Sequence, residues 1–212
     1  MPLPSADFSL FLIAALIVAA VPGPGIFYVV ARTFSEGRTA GVASTLGTAL
    51  GGLVHVIAGG LGISTQILAS AQAFATLKFA GALYLIWLGV RAFREAGRLP
   101  PKITRAAGSA RAFRDGIVVE ATNPKTAAFF FAFIPQFLDA TAVHPALQFM
   151  ALGLISVALN TLADIVVVVA AAATRDNFLR RPSLFKRLRQ GSGLFMMGLG
   201  VSLVLARRPA AS

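Results

Sequence analysis

Asp164 and His55 stand alone in long apolar stretches, and Glu120 and Lys125 flank a proline, Pro124. A carboxylate deep in lipid costs several kcal/mol, so Asp164 should face a protein interior and mark a pathway or a proton relay. Its neighbours support that reading. Ser156, Asn160 and Asp164 fall at i, i+4 and i+8, one polar stripe on an otherwise apolar helix. Ser44, Thr48 and His55 fall at i, i+4 and i+11, again on one face. Asp164, His55 and Glu120 are therefore the candidates for proton exchange. Each has a plainer alternative: an ion pair of Asp164 with Arg175, a packing role for a hydrogen-bonded His55, and an interfacial pair of Glu120 with Lys125 or Arg114.

Two proline breaks supply the other chemistry. Val21-Pro22-Gly23-Pro24-Gly25 interrupts the apolar run 8–31, and Asn123-Pro124-Lys125 interrupts the run that follows residue 116. Proline has no amide hydrogen and clashes with the carbonyl four residues back, so neither run continues as a straight helix. A bilayer tolerates such a break only where protein or water satisfies the freed groups. Amides at a half-helix start hold a carboxylate and unwound carbonyls hold an ammonium, which together fit a zwitterion. Pro22, Gly23, Pro24, Gly25, Thr48, Asn123, Pro124, Lys125 and Asn160 are thus the expected substrate path.

Elements able to position these groups must span a membrane. The 212 residues are 57% hydrophobic and 13% charged, with a mean hydropathy of +0.78. The apolar residues form about six runs of roughly spanning length, near 20 residues each. The reading is an all-α polytopic protein, a single transmembrane domain over 1–212. Its expected spans are 8–30, 40–61, 74–90, 116–138, 146–173 and 191–206, the last short and glycine-rich, so that a five-span arrangement stays open. Gly47, Gly51 and Gly52 give the second span a small-residue face for close helix approach. Lys78, Tyr84 and Trp87 suit an interface.

The net charge of +11 does not point to nucleic acid, because most of the 19 basic residues lie in connections flanking spans. One such connection is 91–115 and another holds Arg175, Arg180, Arg181, Lys186, Arg187 and Arg189. The stretches 64–72 and 139–145 carry no Lys or Arg. The basic connections should face the cytoplasm and both termini the periplasm, with Arg207 and Arg208 mildly opposed. Residues 1–7 carry no Lys or Arg, unlike the start of a secretory signal, so the first run is expected to be retained. No cysteine is present, which excludes thiol catalysis, thiolate metal sites and disulfides.

Three spans per half, each opening on a broken one, predict two inverted repeats (8–90 and 116–206) around a midplane site. The sequence also resembles the lysine-exporter family (LysE/RhtB) over nearly its whole length. The resemblance rests on Pro22-Gly23-Pro24, on Lys78 with Gly81-Ala82-Leu83-Tyr84-Leu85 and Leu88-Gly89, and on Asn123-Pro124-Lys125 followed by Pro135-Gln136-Phe137. It implies a bacterial inner-membrane exporter of amino acids or close derivatives, driven by protons, with the proline motifs near the path. Many members carry an amide or acid where this chain has Gly25, and exporters of basic amino acids tend to carry an acid in the second span, where this chain has His55. Both departures point away from lysine and arginine. The expected partners are a small-molecule substrate, protons and the lipid bilayer, with a homo-oligomer left open and no cofactor or metal. An exporter of metal or other small ions is the alternative. An enzyme is not expected, since no nucleophile and base pair and no His-Glu-x-x-His motif occurs.

Overall fold

A computed structural model describes residues 5–63, 71–97, 108–138, 144–179 and 182–205. Helices α1 (Ser5–Ala20), α2 (Pro24–Glu36), α3 (Arg38–Ala58) and α4 (Ala71–Arg94) form the first half. The second comprises α5 (Gly108–Ala121), α6 (Pro124–Ala128), α7 (Pro145–Leu179) and α8 (Pro182–Leu205). Among the described residues there is no strand. Four helices, α2, α6, α7 and α8, begin on a proline. At that place its missing amide hydrogen costs nothing, and its fixed φ already suits the helix.

Both expected breaks are present. Chain α1–α2 bends by 43° and α5–α6, with its extension to Phe137, by 40°. The phenylalanine run after α6 winds as a π turn (Phe129–Phe133) and then a 3-10 turn (Ile134–Phe137), and α3 ends in a π turn, Gly59–Ile63. By length and composition Arg38–Gly62 and Pro145–Ala173 can each cross a membrane, and the two bent pairs raise the number among the described residues to four, which does not include the expected spans 74–90 and 191–206.

Several expected bounds move. The second half opens at Gly108 rather than 116, so Arg111, Arg114 and Asp115 ride on α5, and Arg91 and Arg94 belong to α4. The second basic connection is mostly helical: Arg175 lies on α7, and Lys186, Arg187 and Arg189 on α8, which therefore starts nine positions before the expected 191. The reason is propensity, for Arg, Lys, Leu and Phe carry a helix out of the membrane where no glycine or mid-helix proline stops it. The stretches 64–70 and 139–143, and Lys102, Arg105, Arg180, Arg181, Arg207 and Arg208, lie outside the described residues, as does the side chain of Lys78.

Glycines set the helix spacing. Helix α3 lies against α5 where Gly47 and Gly51 meet Phe113, Gly116 and Ile117, while Gly52 faces Val157 of α7. Helix α4 lies against α8 in the same way through Gly89, Gly193 and Gly200. The apolar core gathers α1, the phenylalanine run and α7 around Phe11, Phe130, Ile134, Leu138 and Phe149. Outward, α1, α3, α4, α7 and α8 present exposed Leu, Ile and Val, among them Leu16, Leu46, Leu83, Val166 and Leu194, a surface suited to lipid.

A Cβ on Gly116 would stand 2.8 Å from the Ser44 carbonyl and 3.2 Å from Gly47 Cα, whereas one on Gly198 meets nothing within 4 Å. Gly116→Val should therefore cost about 1–3 kcal/mol by overpacking, while Gly198→Ala, inside a helix with open space around it, should leave stability unchanged or raise it by up to about 1 kcal/mol. Thermal unfolding of both variants in detergent checks the pair.

Candidate functional site

The first break explains itself from local chemistry. Pro22 cannot donate to the Val18 carbonyl, four residues back, so α1 ends with an oxygen lacking its helical partner. The ammonium of Lys125, from the other half of the chain, donates to that oxygen at 3.0 Å and to the Val21 carbonyl at 2.9 Å. A cation at a helix C-terminus also matches the helix dipole. Gly23 makes room, since a Cβ there would lie 3.0 Å from Lys125 Cδ.

The second break is answered in kind. Pro124 withholds its donor from the Glu120 carbonyl, and His55 Nε2 stands 3.0 Å from that oxygen. A carbonyl only accepts, so Nε2 carries the hydrogen. The Asn123 amide reaches the same carbonyl, and Asn123 Oδ1 caps the start of α6 by accepting from the Lys125 amide at 3.1 Å. Phe130 and Phe131 flank the imidazole.

Between the breaks lies a polar cavity. Gly25, Thr48, Glu120, Asn123, Lys125, Thr126, Asn160 and Asp164 line it, with Gly52 and Val157 among its apolar wall. Glu120 Oε2 accepts from Asn123 Nδ2 at 2.8 Å and Oε1 from Thr126 Oγ1 at 2.6 Å. Asp164 Oδ2 stands 2.9 Å from Thr48 Oγ1, whose hydroxyl also lies 2.9 Å from the Thr45 carbonyl. That hydroxyl has one proton for two acceptors. A neutral Asp164 can donate to Thr48 and leave the Thr48 proton for Thr45, whereas an ionised one competes with Thr45 for it. The enclosed space is only about 20 Å³, room for one water and not for an amino acid.

A second cavity, about 530 Å³, opens between α2, α4 and α8. Its inner end is Pro22, Gly23, Pro24, Pro124 and Lys125, and its mouth carries Arg32, Arg91, Glu95 and Arg189. The wall between this vestibule and the polar cavity is the seam of α2 with α5. Arg32, only 5% exposed, pairs with Glu36 and with Asp115 at 2.6 Å, and donates to Tyr28, whose hydroxyl donates to the Ala112 carbonyl at 2.7 Å. Lys125 lines both spaces.

Every residue expected on the substrate path thus borders the polar cavity or the vestibule, and His55 braces the second break from behind. Ser156 is buried on α7 but bonds to its own helix, at the Leu152 carbonyl. Thr126, Tyr28, Arg32 and Asp115 escaped the sequence reading. Arg32 resembled a span's polar end, and Thr126 comes to Glu120 only because α6 turns away after the break. Among the described residues no three His, Cys, Asp or Glu side chains gather as a metal-ligand set.

Comparison with known proteins adds to this geometry. The profile of the family described as LysE type translocator matches residues 16–207. A membrane protein of Vibrio cholerae is 30% identical over 198 residues, 93% of this chain and 96% of its own length. The homoserine/homoserine lactone efflux protein of Salmonella typhimurium is 30% identical over 201 residues, 93% and 95% of the two chains. The leucine efflux protein of Salmonella choleraesuis is 27% identical over 147 residues, 68% of each. No solved structure matches.

Gly25 is where the two breaks touch, since a Cβ there would lie 2.5 Å from Glu120 Oε2. Gly25→Ala should cost about 1–3 kcal/mol. Adding Glu120→Ala should recover most of that loss, because the clash goes with the carboxylate. Thermal midpoints of the two single variants and the double variant measure the coupling.

Proposed function

The chain belongs to the LysE type translocator family, and on that premise we propose that it is a bacterial membrane exporter of an amino acid or small amino-acid-like metabolite, exchanged for protons. Relatives named as homoserine/homoserine lactone and leucine efflux proteins support the substrate class. The observation that carries the mechanism is the buried cluster of two carboxylates, Glu120 and Asp164, with one ammonium, Lys125, around the polar cavity.

Buried charges demand close compensation. One ammonium cannot neutralise two carboxylates, so the cluster has a place for one further positive charge. A proton on Asp164 fills that place, and so does a substrate ammonium seated beside it. The two are alternatives, which is the elementary requirement of antiport. The substrate carboxylate takes Lys125 and the backbone of the breaks, with Asn160 and Asn123 as polar neighbours. His55 acts here as a brace that holds the Glu120 carbonyl, and Glu120 as the partner that sets the charge of the cluster.

In the proposed cycle six spans, arranged as two inverted three-helix halves, rock around this site. The partner choice of the broken helices supports that symmetry: α1 lies on α7, and α5 lies on α3. Each second span thus receives the leading half-helix of the other half. The present conformation has an open vestibule and a closed polar cavity, so loading requires the α2–α5 seam to part. The basic mouth of the vestibule is assigned to the cytoplasmic side, which leaves both termini periplasmic.

Proteoliposomes loaded with a panel of labelled amino acids, with and without an imposed pH gradient, test the reading. Gradient-dependent movement of a member of the panel is the expected result, and Asp164→Asn should abolish the gradient dependence. Undiminished gradient-driven export by that variant would sink the role given to Asp164. No movement by folded wild-type protein would overturn the exporter itself.

A further inference from the structure

Helices α2 and α5 run antiparallel outward from the two breaks and meet along one seam. At its inner end Gly25 touches Glu120, where a Cβ would stand 2.5 Å from Oε2. Gly25, Ile26 and Glu120 line the polar cavity, whereas Phe27, Tyr28, Ala31 and Val119 line the vestibule. The seam separates the two spaces, so a molecule passing from one to the other must part it.

Polar groups close the outer end of the seam. Arg32 on α2 donates to Asp115 on α5 at 2.6 Å, the Tyr28 hydroxyl donates to the Ala112 carbonyl at 2.7 Å, and the Gly108 amide donates to Glu36 Oε2 at 2.9 Å. These crossing bonds are only part of the network. Arg32 also holds Glu36 and Tyr28 on its own helix, and Arg111 stands 3.7 Å from Asp115, one turn away on α5. When the seam parts, Arg32 keeps Glu36 and Asp115 turns to Arg111, while water takes the exposed Gly108 amide. No charge is stranded, which is what makes the breaking of a buried ion pair so costly. A contact that opens and closes needs such a second partner for each charge.

From this arrangement we infer that the pairing of Arg32 with Asp115 is the latch of a gate between the vestibule and the polar cavity, closed across the seam and opened by handing each charge to a partner on its own helix. The purpose of the gate, loading of the site, rests on the exporter reading above. Its movement is measurable without transport.

The chain has no cysteine, so a single introduced thiol reports alone. Ala49→Cys places one on the wall of the polar cavity, and Ala15→Cys places one in the apolar core. The rate of reaction with iodoacetamide is measured for each in the full chain in detergent. Asp115→Asn should speed labelling of the cavity thiol at least about tenfold, the effect of losing a hydrogen bond between charged groups. Arg32→Gln should act in the same direction, and the Arg32→Gln, Asp115→Asn double variant should label no faster than Arg32→Gln alone, because the two residues share the bond. Arg111→Gln removes the partner of the open state and should slow labelling by about two- to fivefold, as expected of an exposed pair. The core thiol should stay unreactive throughout.

Wild-type labelling rates in folded Asp115→Asn and Arg32→Gln proteins overturn the inference. So does faster labelling in Arg111→Gln, or a core thiol that becomes reactive in step with the cavity thiol, which marks the network as a strut of the whole fold. Should Arg32→Gln fail to fold, Asp115→Asn and Arg111→Gln, at more exposed side chains, still decide it. The expected labelling pattern in a protein that moves no amino acid upholds the latch and overturns the exporter reading alone.

Discussion

A proline within a membrane-embedded helix strips the carbonyl four residues back of its donor, and in low dielectric that oxygen must be answered. In this protein side chains from distant parts of the sequence answer it at both breaks. Lys125 reaches from the second half to the end of α1, and His55 reaches from α3 to the end of α5. Each break is thereby tied to an element from the other half of the chain. The site between them follows from that reciprocity, because answering the two orphan carbonyls draws α1, α3, α5 and α6 to one place.

The same constraint gives Lys125 a double character. Its ammonium is held by two carbonyls, groups that carry only partial charge, so a full carboxylate is a stronger partner for it. A substrate that takes the ammonium removes the closing contact of α1. On the proposed exporter reading, binding and the loosening of the first break would then be one event, which is what alternating access needs from a site at the junction of two halves. The ionic seam of Arg32, Glu36 and Asp115 stands farther out, at the mouth of the vestibule.

Small residues make such proximity possible. Gly23 lets the Lys125 stem cross the break, and Gly25 lets the Glu120 carboxylate come against α2. The absence of a polar side chain at 25, which looked like a lost contact in the sequence, leaves the space that Glu120 fills. Gly47, Gly51 and Gly116 bring α3 and α5 close enough for Thr48 and His55 to take part. Without an apolar driving force between helices in lipid, backbone approach of this kind supplies much of their attraction.

Sequence alone determined the apolar, all-helical character, the two proline breaks, and most of the polar residues that meet around the polar cavity, Thr126 excepted. These are local properties: a missing amide hydrogen, a helical period, the cost of a carboxylate in hydrocarbon. It did not determine where the basic stretches stop being helix, since Arg and Lys suit a solvated helix as well as a loop, nor that Arg32 is buried. Only the tertiary structure decided who answers each broken helix, because the partners are about a hundred residues apart for Lys125 and 65 for His55. No local pattern encodes a hydrogen bond of that span. It arises when the two halves close on one another and the carbonyls left by Pro22 and Pro124 take the nearest donors.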